Sequence, residues 1–153
     1  MMISMDKIKQ LREETGAGVM DAKKALEEAA GKMDKAKKII SQKGLAKAAK
    51  KADRQTSQGL IYAYTHHDGR SGALVELACE TDFVARTDDF KALAKELAMQ
   101  VTAMDPLDVK SFLEQPYIRE PEKTVKQLLG ESVGKLGENI KLVRFVRFGL
   151  GEV

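Results

Sequence analysis

The sequence predicts an α+β protein, a small three-helix module followed by a three-stranded antiparallel sheet packed with helices, and three observations carry that prediction. Residues 4–53 lack any strand pattern and break into helical runs separated by glycine. Residues 60–65 and 73–80 are rich in β-branched, aromatic and aliphatic side chains on either side of a Gly-containing turn, as a hairpin requires. Residues 140–148, Ile-Lys-Leu-Val-Arg-Phe-Val-Arg-Phe, form a third strand-like run after two helical stretches.

In the first run Ser4 is a suitable N-cap. Met5, Ile8 and Leu11 recur at helical spacing until Thr15-Gly16-Ala17-Gly18 ends it. Val19, Ala22, Leu26 and Ala29 share a face of the second run, which stops at Gly31. The third begins near Asp34 and carries Ala36, Ile39 and Ile40 toward Gly44. Helices this short are marginal alone in water, so their apolar stripes must pack on one another. Leu45 to Asp53 is lysine-rich and made of good helix formers, which suggests a helical linker. The chain thus divides into a three-helix module at 1–42, a basic helical linker at 43–56 and an α+β core domain at 57–153.

Within the core domain His66 to Gly72 supplies the hairpin turn. From Asp88, with Thr87 or Asp88 as cap, Phe90, Leu93, Ala94, Leu97, Ala98 and Val101 fall at helix intervals, and Pro106 closes the segment. A further helix is expected from Pro121, a good first-turn residue, to Gly137, with Val125, Leu128, Leu129, Val133 and Leu136 on one face. Strict alternation in the last strand puts Val143 and Phe145 on one side and Leu142, Val146 and Phe148 on the other. Both sheet faces then carry apolar weight, and a second copy of the chain would cover the face that the helices leave open.

Of the 153 residues 43% are hydrophobic and 32% charged, without an apolar run of membrane-span length, so a soluble protein is expected. Residues 1–6 lack the features of a signal peptide, which points to a cytoplasmic location. The single cysteine, Cys79, lies in an apolar alternation and reads as a buried thiol. A net charge of +3 is mild, so any attraction for nucleic acid must come from local clustering. Lys43, Lys47, Lys50 and Lys51 form such a cluster. No aromatic stacking set accompanies them, which favours a solvated face over a nucleic-acid surface.

Little points to an enzyme or to a cofactor. His66 and His67 are adjacent, and no further Cys or His completes a metal site, so they read as a polar turn. Neither a Walker sequence nor a GxGxxG cradle is present, and no Ser, His and Asp set stands out. The stretch Cys79-Glu80-Thr81-Asp82-Phe83-Val84-Ala85-Arg86 is the most unusual, because it places a large apolar pair directly after a strand. It admits two readings. Thr81 and Asp82 can cap a turn while Phe83 and Val84 staple the next helix to the core, which the pattern alone favours. Alternatively Phe83 projects as an anchor for a partner, with Asp82 beside it.

Three blocks of residues bear on that choice. They are Leu11 to Leu26 with its continuation Gly44 to Lys51, then Glu76 to Arg86, and finally Gln115-Pro116-Tyr117-Ile118, Lys123-Thr124-Val125 and Leu136 to Phe148. In content and order they resemble the family of translation elongation factor Ts, the guanine-nucleotide exchange factor of elongation factor Tu. The resemblance implies a UBA-like N-terminal module, a core with a three-stranded antiparallel sheet, a cytoplasmic role in protein biosynthesis, and no catalytic group, metal or cofactor. It also implies that Thr81, Asp82, Phe83 and Val84 approach the magnesium and nucleotide site of the GTPase, where the Phe wedges between helices and GDP leaves faster. Arg12, Val19 and Met20 occupy positions that touch the GTP-binding domain, Val19 standing where Met is frequent. Between Ala103 and Gln115 the sequence is shorter than in long family members. Some short members are homodimers in which the second copy replaces the missing part, so a homodimer is expected here, with no membrane and no specific nucleic acid as partner. The alternative is a small basic RNA-binding protein using the lysine-rich linker.

Overall fold

Residues 2–152 are described by a computed structural model. The Ser4 hydroxyl accepts from the Lys7 amide at 3.2 Å and starts α1 (Met5–Thr15), which Gly16 ends in the left-handed conformation at φ 75°. Helix α2 (Val19–Glu28) and α3 (Met33–Lys51) complete the helical module. Its core is small because most of it is alanine: Ala22, Ala25, Ala29 and Ala36 pack with Ile8, Leu11 and Leu26.

Helix α3 is longer than the sequence suggests. It runs through Gly44 without a break, so the expected third helix and basic linker are one rod. Gly44 is buried at a close crossing with α7: a Cβ added at Gly134 would lie 2.6 Å from the Gly44 Cα, whereas one added at Gly44 would meet the Glu131 Cα at an ordinary 3.4 Å. A single glycine is compatible with a helix interior, at a cost of about 1 kcal/mol in propensity. The first half of α3 therefore packs in the helical module through Ala36, and its second half packs on the main core through Ala48.

Strands β1 (Gln58–Thr65) and β2 (Ser71–Cys79) form the expected hairpin, and β2 pairs on its other side with β5 (Lys141–Gly149), all antiparallel. Between them in the chain lie α4 (Asp82–Ala85), α5 (Asp88–Met104), α6 (Val109–Glu114), the two-stranded ribbon of β3 (Pro116–Tyr117) and β4 (Glu120–Thr124), and α7 (Val125–Leu136). Thr87 caps α5, its hydroxyl accepting from the Phe90 amide, and Gly137 ends α7 at φ 79°. The helix expected from Pro121 begins four residues later. Thr124 and Gln127 form a capping box there, while Pro121 sits in β4, in a two-stranded ribbon where a missing N–H is tolerated. The ribbon and α6 were not expected.

The strict alternation expected for the last strand also fails. Leu77 pairs with Leu142 and Glu76 with Arg144, so Val143 is the extra residue of a β-bulge. Beyond it the parity reverses. Leu142 and Phe145 share the core face, with the Phe145 ring edge-on to Phe112 at a centroid distance of 5.7 Å. Across the sheet that face reads Leu60, Leu77, Leu142 in one row and Tyr62, Val75, Phe145 in the next, and it packs under α5. The opposite face carries Ala63, Leu74 and Val146 in one row, flanked by Ile61 and by Phe148. No helix of the described residues covers it, and Phe148 is 73% exposed.

Candidate partner-binding tip

Strand β2 delivers the chain to Thr81, and the four residues from Thr81 to Val84 separate into distinct roles. Thr81 is the N-cap of α4, its hydroxyl accepting from the Val84 amide at 3.3 Å. Val84 and Ala85 turn inward and join the main core. Phe83, on the far side of the same turn of helix, is 78% exposed. Asp82 is exposed beside it and pairs with Arg86 one turn on, at 3.2 Å. Each sequence reading thus describes half of the motif, because Val84 is the staple and Phe83 the projection. Leaving a Phe side chain in water forgoes about 2 kcal/mol of burial, which makes its exposure on an ordered helix informative.

The tip is held from behind. The Thr87 hydroxyl donates to the Val84 carbonyl at 2.7 Å, closing α4 against the start of α5. The Cys79 thiol donates to the Thr81 carbonyl at 3.1 Å. Burial pushes that thiol's pKa up, with Glu138 and Glu80 adding to the effect, so it is a packed donor and no nucleophile. Glu138, in the loop between α7 and β5, accepts from the Glu80 and Thr81 amides at 3.1 and 3.0 Å and from the Thr81 hydroxyl at 2.7 Å. The sequence blocks contain Glu138 but give no sign of this contact, which joins residues 57 and 58 positions apart.

Arg12, Val19 and Met20 surround the turn between α1 and α2. The Arg12 side chain reaches the Ala17 carbonyl at 3.4 Å, and its own carbonyl accepts from the Gly16 amide. Val19 and Met20 open α2 and are 44% and 62% exposed. All three are exposed, on a different module from the tip. A cleft of about 640 Å³ between this turn, α3 and α7 is lined by neither set. Its charges are paired internally, Lys37 with Glu14 and Lys123 with Glu131 and Glu120. Among the described residues no group of three or more His, Cys, Asp and Glu side chains is placed to hold a metal ion. His66 accepts or donates at Nδ1 to the Tyr64 hydroxyl, 3.0 Å away, in the β1–β2 turn.

Of the linker lysines, Lys43 lies 3.7 Å from Glu28, Lys47 lies 3.6 Å from Asp21, and Lys51 donates to the Gly137 carbonyl at 2.7 Å. Three of the four are thus engaged within the chain. No helix of the described residues is long and apolar enough to cross a membrane.

The chain is thus a helical module joined through one long helix to an antiparallel sheet with an exposed aromatic tip. The family model described as "Elongation factor TS" matches residues 4–111 and again 80–152. The chain belongs to the elongation factor Ts family. It is 45% identical to "Elongation factor Ts" of Coprothermobacter proteolyticus, with 99% of this chain and 100% of the relative covered. The proteins of the same name in a Thermoanaerobacter species and in Thermotoga maritima are 46% and 45% identical, with 99% of this chain and 96% and 98% of the relatives covered. The first alignment spans 197 positions against 153 residues here, so that relative carries residues with no counterpart in this chain.

Proposed function

We propose that this chain is a guanine-nucleotide exchange factor for elongation factor Tu, acting in the cytoplasm during translation elongation and breaking no covalent bond itself. The observation that carries the reading is Phe83, a large apolar side chain left in water on a short helix that is capped by Thr81 and buried at Val84 and Ala85. An aromatic wedge of this kind, entering the GTPase beside its magnesium and phosphate site, disturbs the charge neutralisation that retains GDP. Asp82 stands next to the wedge, Thr81 fixes the turn and Val84 anchors it in the core. Arg12, Val19 and Met20 form the second contact, on the GTP-binding domain. Coupling is reciprocal: whatever weakens nucleotide binding is itself weakened by nucleotide, so incoming GTP releases the factor.

The uncovered face of Ile61, Ala63, Leu74, Val146 and Phe148 supports a homodimer, in which a second copy buries it. The engagement of Lys43, Lys47 and Lys51 within the chain weighs against an RNA-binding linker. The decisive measurement is release of fluorescent GDP from elongation factor Tu. Wild-type protein accelerates release under this reading, and no acceleration at any concentration overturns it.

A further inference from the structure

We infer that Glu138 is the positioning residue of the exchange tip, and that Asn139 beside it ties the tip to the helical module; this rests on the exchange function proposed above. The pairing of β2 ends before the tip, its last partners being Gln58 for Cys79 and Lys141 for Ala78. The amides of Glu80 and Thr81 therefore have no ladder acceptor, and a strand end left so would fray. One oxygen of Glu138 accepts both, and the other accepts the Thr81 hydroxyl proton. With its proton committed there, the Thr81 oxygen turns a lone pair to the Val84 amide, the bond that starts α4. Three donors on one carboxylate fix the direction in which the helix bearing Phe83 leaves the sheet, and bonds to an ionised acceptor are the stronger kind.

The loop is held in return. Glu80 accepts from the Asn139 amide at 2.6 Å, so residues 80–81 and 138–139 clasp each other through side chain and backbone in both directions. The buried Asn139 side chain donates to the Ala52 and Arg54 carbonyls at 3.3 and 2.8 Å, and Lys51 donates to the Gly137 carbonyl. Residues 137–139 thus grip the end of α3 and the tip at once. Because α3 is continuous into the helical module, the same loop sets the placement of Phe83 relative to Arg12, Val19 and Met20.

The test compares wild type, Glu138→Ala and Glu138→Gln for release of fluorescent GDP at saturating factor, each also in a Phe83→Ala background. Misplacing an interacting group by about 1 Å costs up to about a hundredfold in rate, so Glu138→Ala is expected to lose about tenfold to a hundredfold. Glu138→Gln keeps a carbonyl for the two amides and recovers most of that loss. In the Phe83→Ala background Glu138→Ala adds nothing further, because it acts through Phe83. Amide hydrogen exchange on the isolated protein provides the second readout: Glu80 and Thr81 lose protection in Glu138→Ala while amides of the β1–β2 ladder keep theirs. Wild-type release by a folded Glu138→Ala protein overturns the inference, as does a full additional loss in the Phe83→Ala background. If Glu138→Ala does not fold, Glu138→Asp, which retracts the same charge by one methylene, must show a several-fold loss, and wild-type behaviour overturns it. Failure of the wild type to accelerate release refutes the exchange function instead, and unchanged protection of Glu80 and Thr81 then refutes the clasp.

Discussion

Gly134 of α7 faces Gly44 of α3 so closely that a methyl group on Gly134 would lie 2.6 Å from the Gly44 Cα. Backbone meets backbone there, and neither helix can swing a side chain away. Gly134→Ala is expected to destabilise the protein by about 1–3 kcal/mol, as overpacking does, despite the better helix propensity of alanine. At Gly130, one turn earlier, the added carbon would overlap the end of the Leu45 side chain, which can rotate, and would touch the Ala48 Cβ at an ordinary 3.8 Å. Gly130→Ala should stay within about 1 kcal/mol of wild type. Urea denaturation of the two variants compares them directly, and an equal effect refutes the crossing as the reason.

Phe83 and Phe90 provide the opposite contrast, being 78% and 0% exposed in adjacent helices. Phe83→Ala is expected to leave stability within about 0.5 kcal/mol and to abolish most of the acceleration of GDP release. Phe90→Ala empties part of the core and should cost about 3–5 kcal/mol. Denaturation curves paired with exchange assays separate the two, and a strongly destabilised Phe83→Ala would show that its side chain is packed after all.

Tyr117 is buried at the β3–β4 ribbon and donates to Glu96, 3.0 Å away. Burial, and then the Glu96 carboxylate, push its pKa up to about 12. The folded value exceeds the unfolded one of about 10, so the native state holds this proton more tightly. Its contribution to stability is complete below pH 10 and disappears as the pH rises from 10 toward 12. Ultraviolet titration should show a phenol that resists ionisation until about pH 12, and Tyr117→Phe should remove that part of the alkaline loss of stability.

Cys79 is fully buried, and its thiol pKa is raised by burial first and by Glu138 next. Thiol reagents at pH 8 should therefore label the native protein far more slowly than the unfolded one. Rapid labelling in buffer, at a rate near that in denaturant, would contradict the packing behind the tip.

The open sheet face offers a test of assembly. Val146→Asp and Phe148→Asp place charges among Ile61, Ala63 and Leu74 without touching the helical side. If a second copy covers this face, sedimentation velocity will show the dimer reduced to monomer in both variants. A wild-type protein that sediments as a monomer at every concentration removes the dimer from the proposal.

Local rules reached far into this fold. The Ser4 and Thr87 caps, the glycine stops at Gly16 and Gly137 and the β1–β2 hairpin follow from residues a few positions apart, where propensity and hydrogen bonding decide together. Pro121 points to a helix start four residues early, because the capping box of Thr124 and Gln127 outweighs its preference for a first turn. The continuity of α3 through Gly44 is hidden for another reason, since the helix that packs against it there, α7, is distant in sequence. The motif at 81–84 was visible as an oddity, but its division between core and solvent depends on which way one turn of helix faces. The grip of Glu138 and Asn139 joins residues 57 to 87 positions apart, beyond any periodic signal.

Val143, the extra residue in β5, bears on how new surfaces arise. Taken into the ladder as an ordinary residue, it would turn Val146 and Phe148 inward, bring Arg144 against the core, and send Phe145 and Arg147 out. Loss of its codon would straighten the strand yet leave every other side chain on its present side, since Leu142 and Arg144 already face the neighbouring residues Leu77 and Glu76. Whether one amino acid is looped out or absorbed thus decides whether the free side of the sheet is adhesive or inert.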